Sequence, residues 1–431
     1  MTTAPGMTSL YAALMIVPSG NTVFYNWCTV CNIALAPAGM RPMYAQPQPR
    51  LSTMRTSRSF VLVLSLLVLL LVYIGMRLLP DLGLGLAGNL AGVMLLCALG
   101  VLVPVGLMSA SLRRQRWPQR LSWLGLVSMG LFSSLLVTTL ARDVVLLMLL
   151  AVGALDAPIA HISAAAVPLV ALGVTGIGYV NARRVARIKK VDVPIRDLPA
   201  ALHGYTIAQL SDIHVGPTIG RAYLNAIVTK VNGLGADVIA ITGDLVDGSV
   251  QRLAGHTEPL ARLKADDGVF FVTGNHEYYS GAEEWIAEVR RLGLRVLMNE
   301  HVVRRRGAAS LMIAGVADYT AHIFHPSHKS DPRRAAAGAP SDIDVRVLLA
   351  HQPRSAPDAA AAGFDLQLSG HTHGGQFFPW NLFVPLQQPF VAGLHRVRDM
   401  WIYTSRGTGY WGPPKRFGAP SEITLVRLVP A

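Results

Sequence analysis

Charge is what this sequence has little of. Only 15% of its 431 residues are Asp, Glu, Lys or Arg, against about 25% in a typical soluble chain. Hydrophobic residues make up 52%, and the mean hydropathy is +0.40. That balance argues against a wholly soluble protein. The apolar excess sits before residue 183, so a membrane portion precedes a soluble one. Acidic residues are scarcer still: 25 against 38 basic ones, for a net charge of +13. Such a surplus would suit a nucleic acid, but no nucleic-acid motif accompanies it. The positives gather instead at Arg113, Arg114, Arg116 and Arg120, and at Arg183, Arg184, Arg187, Lys189 and Lys190, flanking apolar runs. Membrane lipids are therefore the expected partner, and nucleic acid is not. With three cysteines, no disulfide framework is implied. The Cys28–Cys31 pair has no second pair or histidines nearby to close a zinc site, and Cys97 reads as a small hydrophobe in an apolar run.

Residues 1–59 have no clear period and read as a poorly ordered extension. The stretch 8–17 lacks the positive n-region of a signal peptide, and Met43 and Met54 are alternative starts. Residues 60–182 read as a transmembrane region of four or five helices. The firm spans are 60–76, 82–112, 121–141 and 162–182, the third ending at Arg142-Asp143. A shorter run at 144–155, broken by Asp156 and His161, is the doubtful fifth. The protein is thus expected in the cell (inner) membrane, multi-pass. The arginine-rich loop at 113–120 should be cytoplasmic, while the side of the C-terminal half depends on the doubtful run. Gly83, Gly85 and Gly88 spell a dinucleotide fingerprint, but no soluble βαβ unit surrounds it. Gly88 and Gly92 read better as a close approach of membrane helices.

After a linker at 183–200, the pattern changes at 201–431. Short β-rich runs at 205–211, 237–242, 268–273, 311–316, 345–350, 364–369, 400–404 and 422–428 alternate with helix candidates at 219–233, 256–264 and 281–292. The last opens on Ser280 and Glu283, a capping-box spacing. Alternation of this kind is the mark of an α/β layered fold. Residues 326–342 read as a surface loop.

Five motifs share one position, each beginning where an expected strand ends: Ser211-Asp212-Ile213-His214, Gly243-Asp244-Leu245-Val246-Asp247, Gly274-Asn275-His276-Glu277, Ala350-His351 and Gly370-His371-Thr372-His373-Gly374. Ligands of open α/β sheets bind outside the carboxyl ends of strands. Side chains at i and i+2 of an extended chain point to the same side, so Asp212 and His214 can grip one ion. The preceding glycines permit sharp exits from the strands. Carboxylate, imidazole and amide oxygen together suit divalent Mn, Fe or Zn. There are too many donors for one tetrahedral ion, so two ions sharing a bridging carboxylate fit better.

The order DxH, GDxxD, GNHE, H, GHxH resembles the calcineurin-like binuclear metallophosphoesterases over about residues 200–430. GHTHGGQ, with GTGYWGPPKR at 407–416, is similar to the membrane-associated bacterial branch. The resemblance implies a β-sandwich of mixed sheets flanked by helices. It implies that Asp212, His214, Asp244 and His373 hold one metal, and that Asp244 bridges to a second held by Asn275, His351 and His371. It implies His276 as the proton donor to the leaving group and Asp247 as its hydrogen-bond partner. The reaction would be hydrolysis of a phosphomonoester or phosphodiester by a hydroxide that two metals activate. Gln376, Arg406, Tyr410, Trp411 and Arg416 follow the last ligand motif and are candidates to read a head group, against the alternative that Tyr410 and Trp411 only pack a loop. Membrane tethering points to a lipid or lipid-linked phosphate. The alternatives are a pyrophosphohydrolase acting on a lipid-linked precursor, and a membrane sensor or transporter that binds metal without turnover. The sequence leaves the oligomeric state open.

Overall fold

The computed structural model describes residues 58–111 and 119–431. The extension before residue 58, with Cys28 and Cys31, and the arginine loop as far as residue 118 lie outside the described residues. Four helices come first: α1 Arg58–Leu82, α2 Gly85–Ser111, α3 Gln119–Ala151 and α4 Ala157–Arg183. Each is long and apolar enough to cross a membrane. A helix suits an apolar run in lipid because it satisfies every backbone group internally.

The run at 144–155 is not a separate span. Residues 144–151 continue α3 straight past Arg142-Asp143, because neighbouring helices absorb the charges. Arg142 is buried and donates to Asp81, to the Arg77 and Ala160 carbonyls at 2.8 and 3.0 Å, and to Ser163 Oγ at 3.0 Å. Asp143 accepts from Tyr73 at 2.6 Å and Arg77 at 2.8 Å. Asp156 caps α4 by accepting from the Ile159 amide. Gly83 lies outside the helices and Gly85 opens α2. Both adopt positive φ where the chain turns from α1 into α2, while a Cβ at Gly92 would meet Leu79 of α1, as a close helix approach requires.

The soluble half carries strands β1 Arg187–Ile195, β2 Thr206–Leu210, β3 Val238–Thr242, β4 Val269–Val272, β5 Arg295–Val296, β6 Glu300–Arg306, β7 Ala309–Gly315, β8 Val345–Leu349, β9 Leu366–Ser369, β10 Gly393–Val397, β11 Met400–Thr404 and β12 Glu422–Pro430. They form two six-stranded sheets, in the orders β1-β12-β2-β3-β4-β5 and β10-β11-β9-β8-β7-β6. Strands β2 to β5 run parallel, as do β7, β8, β9 and β11. The stretch read as a linker thus contains β1, which pairs parallel with β12.

The interior strands are apolar on both faces. Val238 and Ala240 of β3 point into the layer between the sheets, beside Leu311, Val347 and Leu368. Ile239 and Ile241 point the other way, against helices α5 Arg221–Asn232 and α6 Ala282–Arg291 through Leu224, Ile227, Trp285 and Val289. On the far side, Met312, Leu348 and Ile402 pack under Ala356 and Ala359. The result is a helix–sheet–sheet–helix sandwich of mixed sheets. Each fully buried Val, Leu, Ile or Phe contributes roughly 1.5–3 kcal/mol. The N-cap of α6 is Gly281 rather than Ser280, with no side-chain cap; in the short helix before it, Asn275–Ser280, Glu277 accepts from the amide of the N-cap Gly274 at 2.6 Å.

Candidate metal centre

The carboxyl ends of β2, β3 and β4 from one sheet and of β8 and β9 from the other meet on one rim. Each of the five motifs leaves a strand there. The exits are zipped together: the Asp212 amide donates to the Gly243 carbonyl at 3.0 Å, and the His214 amide to the Asp244 carbonyl at 3.1 Å. Asp212, His214, Asp244, His371 and His373 all adopt positive φ, between 51° and 71°. For non-glycine residues such conformations cost on the order of 1–3 kcal/mol each and persist where the surroundings over-determine them. The glycines act differently from the expectation of sharp exits alone. Gly243 does have φ +87°, but Gly274 and Gly370 are required by contact. A Cβ at Gly274 would fall on the Asp244 carboxylate, and one at Gly370 on Ser211 and Asp212.

Three groups of donor atoms converge: Asp212, His214 and His373; Asp244, His351 and His371; and His214, Asp247 and His276. His214 Nε2 lies 3.0 Å from His373 Nε2, and His371 Nδ1 lies 3.2 Å from His351 Nε2. Asp244 Oδ2 is 3.1 Å from His351 Nε2 and 3.8 Å from His214 Nε2, so its carboxylate stands between the groups. His351 donates Nδ1–H to the Thr242 carbonyl at 2.8 Å, which leaves Nε2 free to ligate. Asn275 Oδ1 is buried and has no hydrogen-bond partner. An orphaned amide oxygen beside clustered imidazoles and carboxylates fits divalent cations. All seven residues expected as ligands are brought to this one place.

His276 sits beside the cradle. Its Nδ1 is 2.7 Å from Asp247 Oδ1 and its Nε2 is 4.0 Å from Asp244. Burial alone would lower its pKa, but Asp244 and Asp247 outweigh that and push it up to about 9. Burial likewise favours the neutral form of Asp244, yet His351, His276 and His214 hold its carboxyl well below the usual range. Asp247 faces both His276 and His214, the latter at 2.9 Å.

The roles of two residues escaped the sequence reading. Glu277 is fully buried and accepts from the amides of Gly274 at 2.6 Å, Asp244 at 3.0 Å and Leu245 at 2.8 Å. It thereby pins the β3 and β4 exits to each other, a role its position next to GNH did not disclose. Burial and the Asp244 charge raise its pKa to about 8. Arg416 was a candidate head-group contact, but it is buried and donates to His373 Nδ1 at 3.0 Å and to the His373 carbonyl at 2.8 Å. It orients the His373 ring instead. Tyr410 is also buried, its hydroxyl bonded to Arg183 and the Thr218 carbonyl. Gln376 clamps the late loop through the Trp411 and Pro413 carbonyls. Of the five candidate substrate residues, Arg406 lines a cavity. Trp411 packs edge-on against His276, with ring centroids 5.8 Å apart.

Fold and centre together define a metal-dependent phosphoesterase class. The family described as calcineurin-like phosphoesterase matches residues 205–375. Among curated relatives, a transmembrane protein with metallophosphoesterase domain from Danio rerio is 40% identical over 259 residues, covering 58% of this chain and 59% of that protein. A metallophosphoesterase of Helicobacter pylori is 36% identical over 267 residues, covering 61% and 69%. One of Aquifex aeolicus is 31% identical over 254 residues, covering 56% and 91%. The chain belongs to the calcineurin-like phosphoesterase family, and it is a multi-pass membrane protein. It spans about three fifths (59%) of the length of the Danio rerio and Bos taurus relatives. A solved NAD nucleotidase of Haemophilus influenzae is 16% identical over 47% of this chain and 50% of that one, with a TM-score of 0.35, too low to bear on function.

Proposed function

We propose that this protein is a membrane-anchored phosphohydrolase that cleaves phosphomonoesters or phosphodiesters with two divalent ions. Asp212, His214, Asp244 and His373 would hold one ion, and Asp244, Asn275, His351 and His371 the other. Bound there, the ions supply Lewis acidity, lowering the pKa of water and neutralising phosphoryl oxygens. Asp247 fixes the His276 ring by accepting from Nδ1, so Nε2, 4.0 Å from Asp244, would face a phosphoryl group held in the cradle. His276 then stabilises the charge that builds on phosphoryl oxygen and gives its proton to the leaving group. Tyr279 and Trp411 flank His276 and keep bulk water from it. The observation that carries this reading is a histidine held by Asp247 beside convergent donors, since a site that only binds metal needs no proton donor.

The test is turnover of bis-p-nitrophenyl phosphate and p-nitrophenyl phosphate by the detergent-purified full chain with Mn²⁺. No turnover with any divalent metal would sink the enzyme reading. The helices α3 and α4 also bear on sidedness. Two crossings return the chain after α4 to the side of the arginine cluster at 113–120, so the catalytic half would lie in the cytoplasm. A reporter fused after Ala431 that is active only outside the cell would contradict that.

A further inference from the structure

The segment after the last ligand motif has an unusual surface. From Gly374 to Leu394 the sequence carries no charged residue. Phe378, Leu382, Phe383 and Leu386 are 55%, 63%, 53% and 79% exposed. In water, four large apolar side chains within nine residues are a liability unless something covers them.

The same segment is fastened to a membrane helix. Trp380 Nε1 donates to Ser133 Oγ of α3 at 2.9 Å. Nearby, Lys415 donates to Ser134 Oγ at 2.5 Å and to the Gly130 carbonyl at 3.1 Å, with its ammonium 4.6 Å from the Phe377 ring centroid. The Arg416 amide donates to the Gly178 carbonyl of α4 at 2.8 Å, where a Cβ would strike the Lys415 stem. The depth of this dock follows from helix geometry. Ser134 is 151 − 134 = 17 residues from the far end of α3 at Ala151, or about 26 Å at 1.5 Å per residue. A hydrocarbon core is about 30 Å thick, so the dock lies at the catalytic-side edge of the core. Trp380 is the residue type that settles at that level.

A cavity of about 250 Å³ opens at the base of the segment, lined by Phe378 and Asn381 from it, by Gly374 next to the ligand His373, and by Val391 and Arg406. Asn381 Oδ1 is buried there without a hydrogen-bond partner. Arg406 is held from behind by Glu422 at 3.3 Å. One guanidinium and one unmet acceptor suit a phosphate carrying a hydroxyl or amide donor.

We propose that residues 377–390 form a lip embedded in the membrane interface, and that the cavity beneath it takes the head group of an amphiphilic phosphoester drawn from the bilayer. The substrate half of this inference rests on the phosphohydrolase reading; the lip does not. The bilayer covers the four exposed side chains, and lateral confinement raises the effective substrate concentration at the cradle.

The test uses the full chain in phosphatidylcholine nanodiscs containing phosphatidic acid. Cys28, Cys31 and Cys97 are replaced by serine, and Leu382→Cys or Asp399→Cys carries an NBD label. The lip predicts blue-shifted NBD emission at 382, quenched by doxyl lipid and spared by iodide, and the reverse at 399, on the exposed β10–β11 turn. Iodide quenching as strong at 382 as at 399 would overturn the lip. In parallel, Leu382→Asp with Phe383→Asp is expected to lower phosphatidic acid turnover about tenfold while bis-p-nitrophenyl phosphate turnover stays within about twofold. Glycerol 3-phosphate hydrolysed as well as phosphatidic acid, or phosphatidic acid left intact while the soluble diester is cleaved, would overturn the bilayer source. No hydrolysis of any ester would instead remove the phosphohydrolase reading and leave the NBD result to judge the lip alone.

Discussion

The metal cradle and the lip beside it leave the same rim of the sandwich, yet they are made by opposite means. The cradle takes short polar motifs from five strand ends. It forces five of its residues to positive φ and sets Asn275 Oδ1 without a partner. Its precision comes from rigid parallel strands behind it. The lip has only brief 3₁₀ turns, at Trp380–Leu382 and Val384–Leu386, and turns its large side chains outward. What steadies it is the Trp380–Ser133 bond to α3, beside the Lys415 and Arg416 bonds to α3 and α4, all to residues more than 200 positions earlier. In the proposed function, one region would fix the chemistry, and the other would fix where it meets its substrate.

That contrast can be broken at several points. The largest effect belongs to Asp244→Asn. A carboxylate placed between both donor groups should carry both ions, so turnover should fall about a thousandfold or more, with metal content down in parallel. Unchanged metal content would mean that Asp244 bridges nothing. His276→Ala comes next, with a loss of about 10²–10⁴ in kcat at unchanged metal content. Retained activity would remove its role as proton donor. Arg416→Gln separates positioning from substrate contact. It should weaken metal affinity about 10–100-fold through His373, read by competition with a chelator, whereas a KM effect at constant affinity would restore Arg416 to the substrate side. The smallest effect lies at the opposite end of the same sheet. Burial opposes ionisation of Asp237, but Arg306 and Thr206 hold its pKa below the ordinary carboxylate value. A depressed folded pKa contributes stability that is present above pH about 4 and lost as pH falls through the folded value. Asp237→Asn should therefore flatten the acid limb of thermal stability and leave turnover at neutral pH alone.

What was legible in the sequence was local. The i, i+2 ligand pairs and the glycine-flanked strand ends are adjacent in the chain, so the seven candidate ligands were read together, with roles lent by the family resemblance. The interior strands were read correctly because burial on both faces makes them continuous apolar runs. The four strands missed, β1, β5, β6 and β10, are the edges of the two sheets. Edges are kept charged or short to avoid pairing: β1 opens with Arg187-Ile188-Lys189-Lys190, β6 ends on three arginines, and β5 has two residues. Arg142-Asp143 passed for a helix end because its partners, Asp81, Arg77 and Tyr73, are more than 60 residues away. The roles of Arg416, Tyr410 and Gln376 were hidden for the same reason, since each is set by a contact 35 or more residues distant.

The central claim is a two-ion cradle that turns over phosphoesters. Its most direct test is a titration of metal-free full chain with Mn²⁺, following bound metal and bis-p-nitrophenyl phosphate turnover in the same sample. The account predicts that turnover rises to a plateau at two ions per chain. A plateau at one ion, or two ions bound with no turnover, would contradict it.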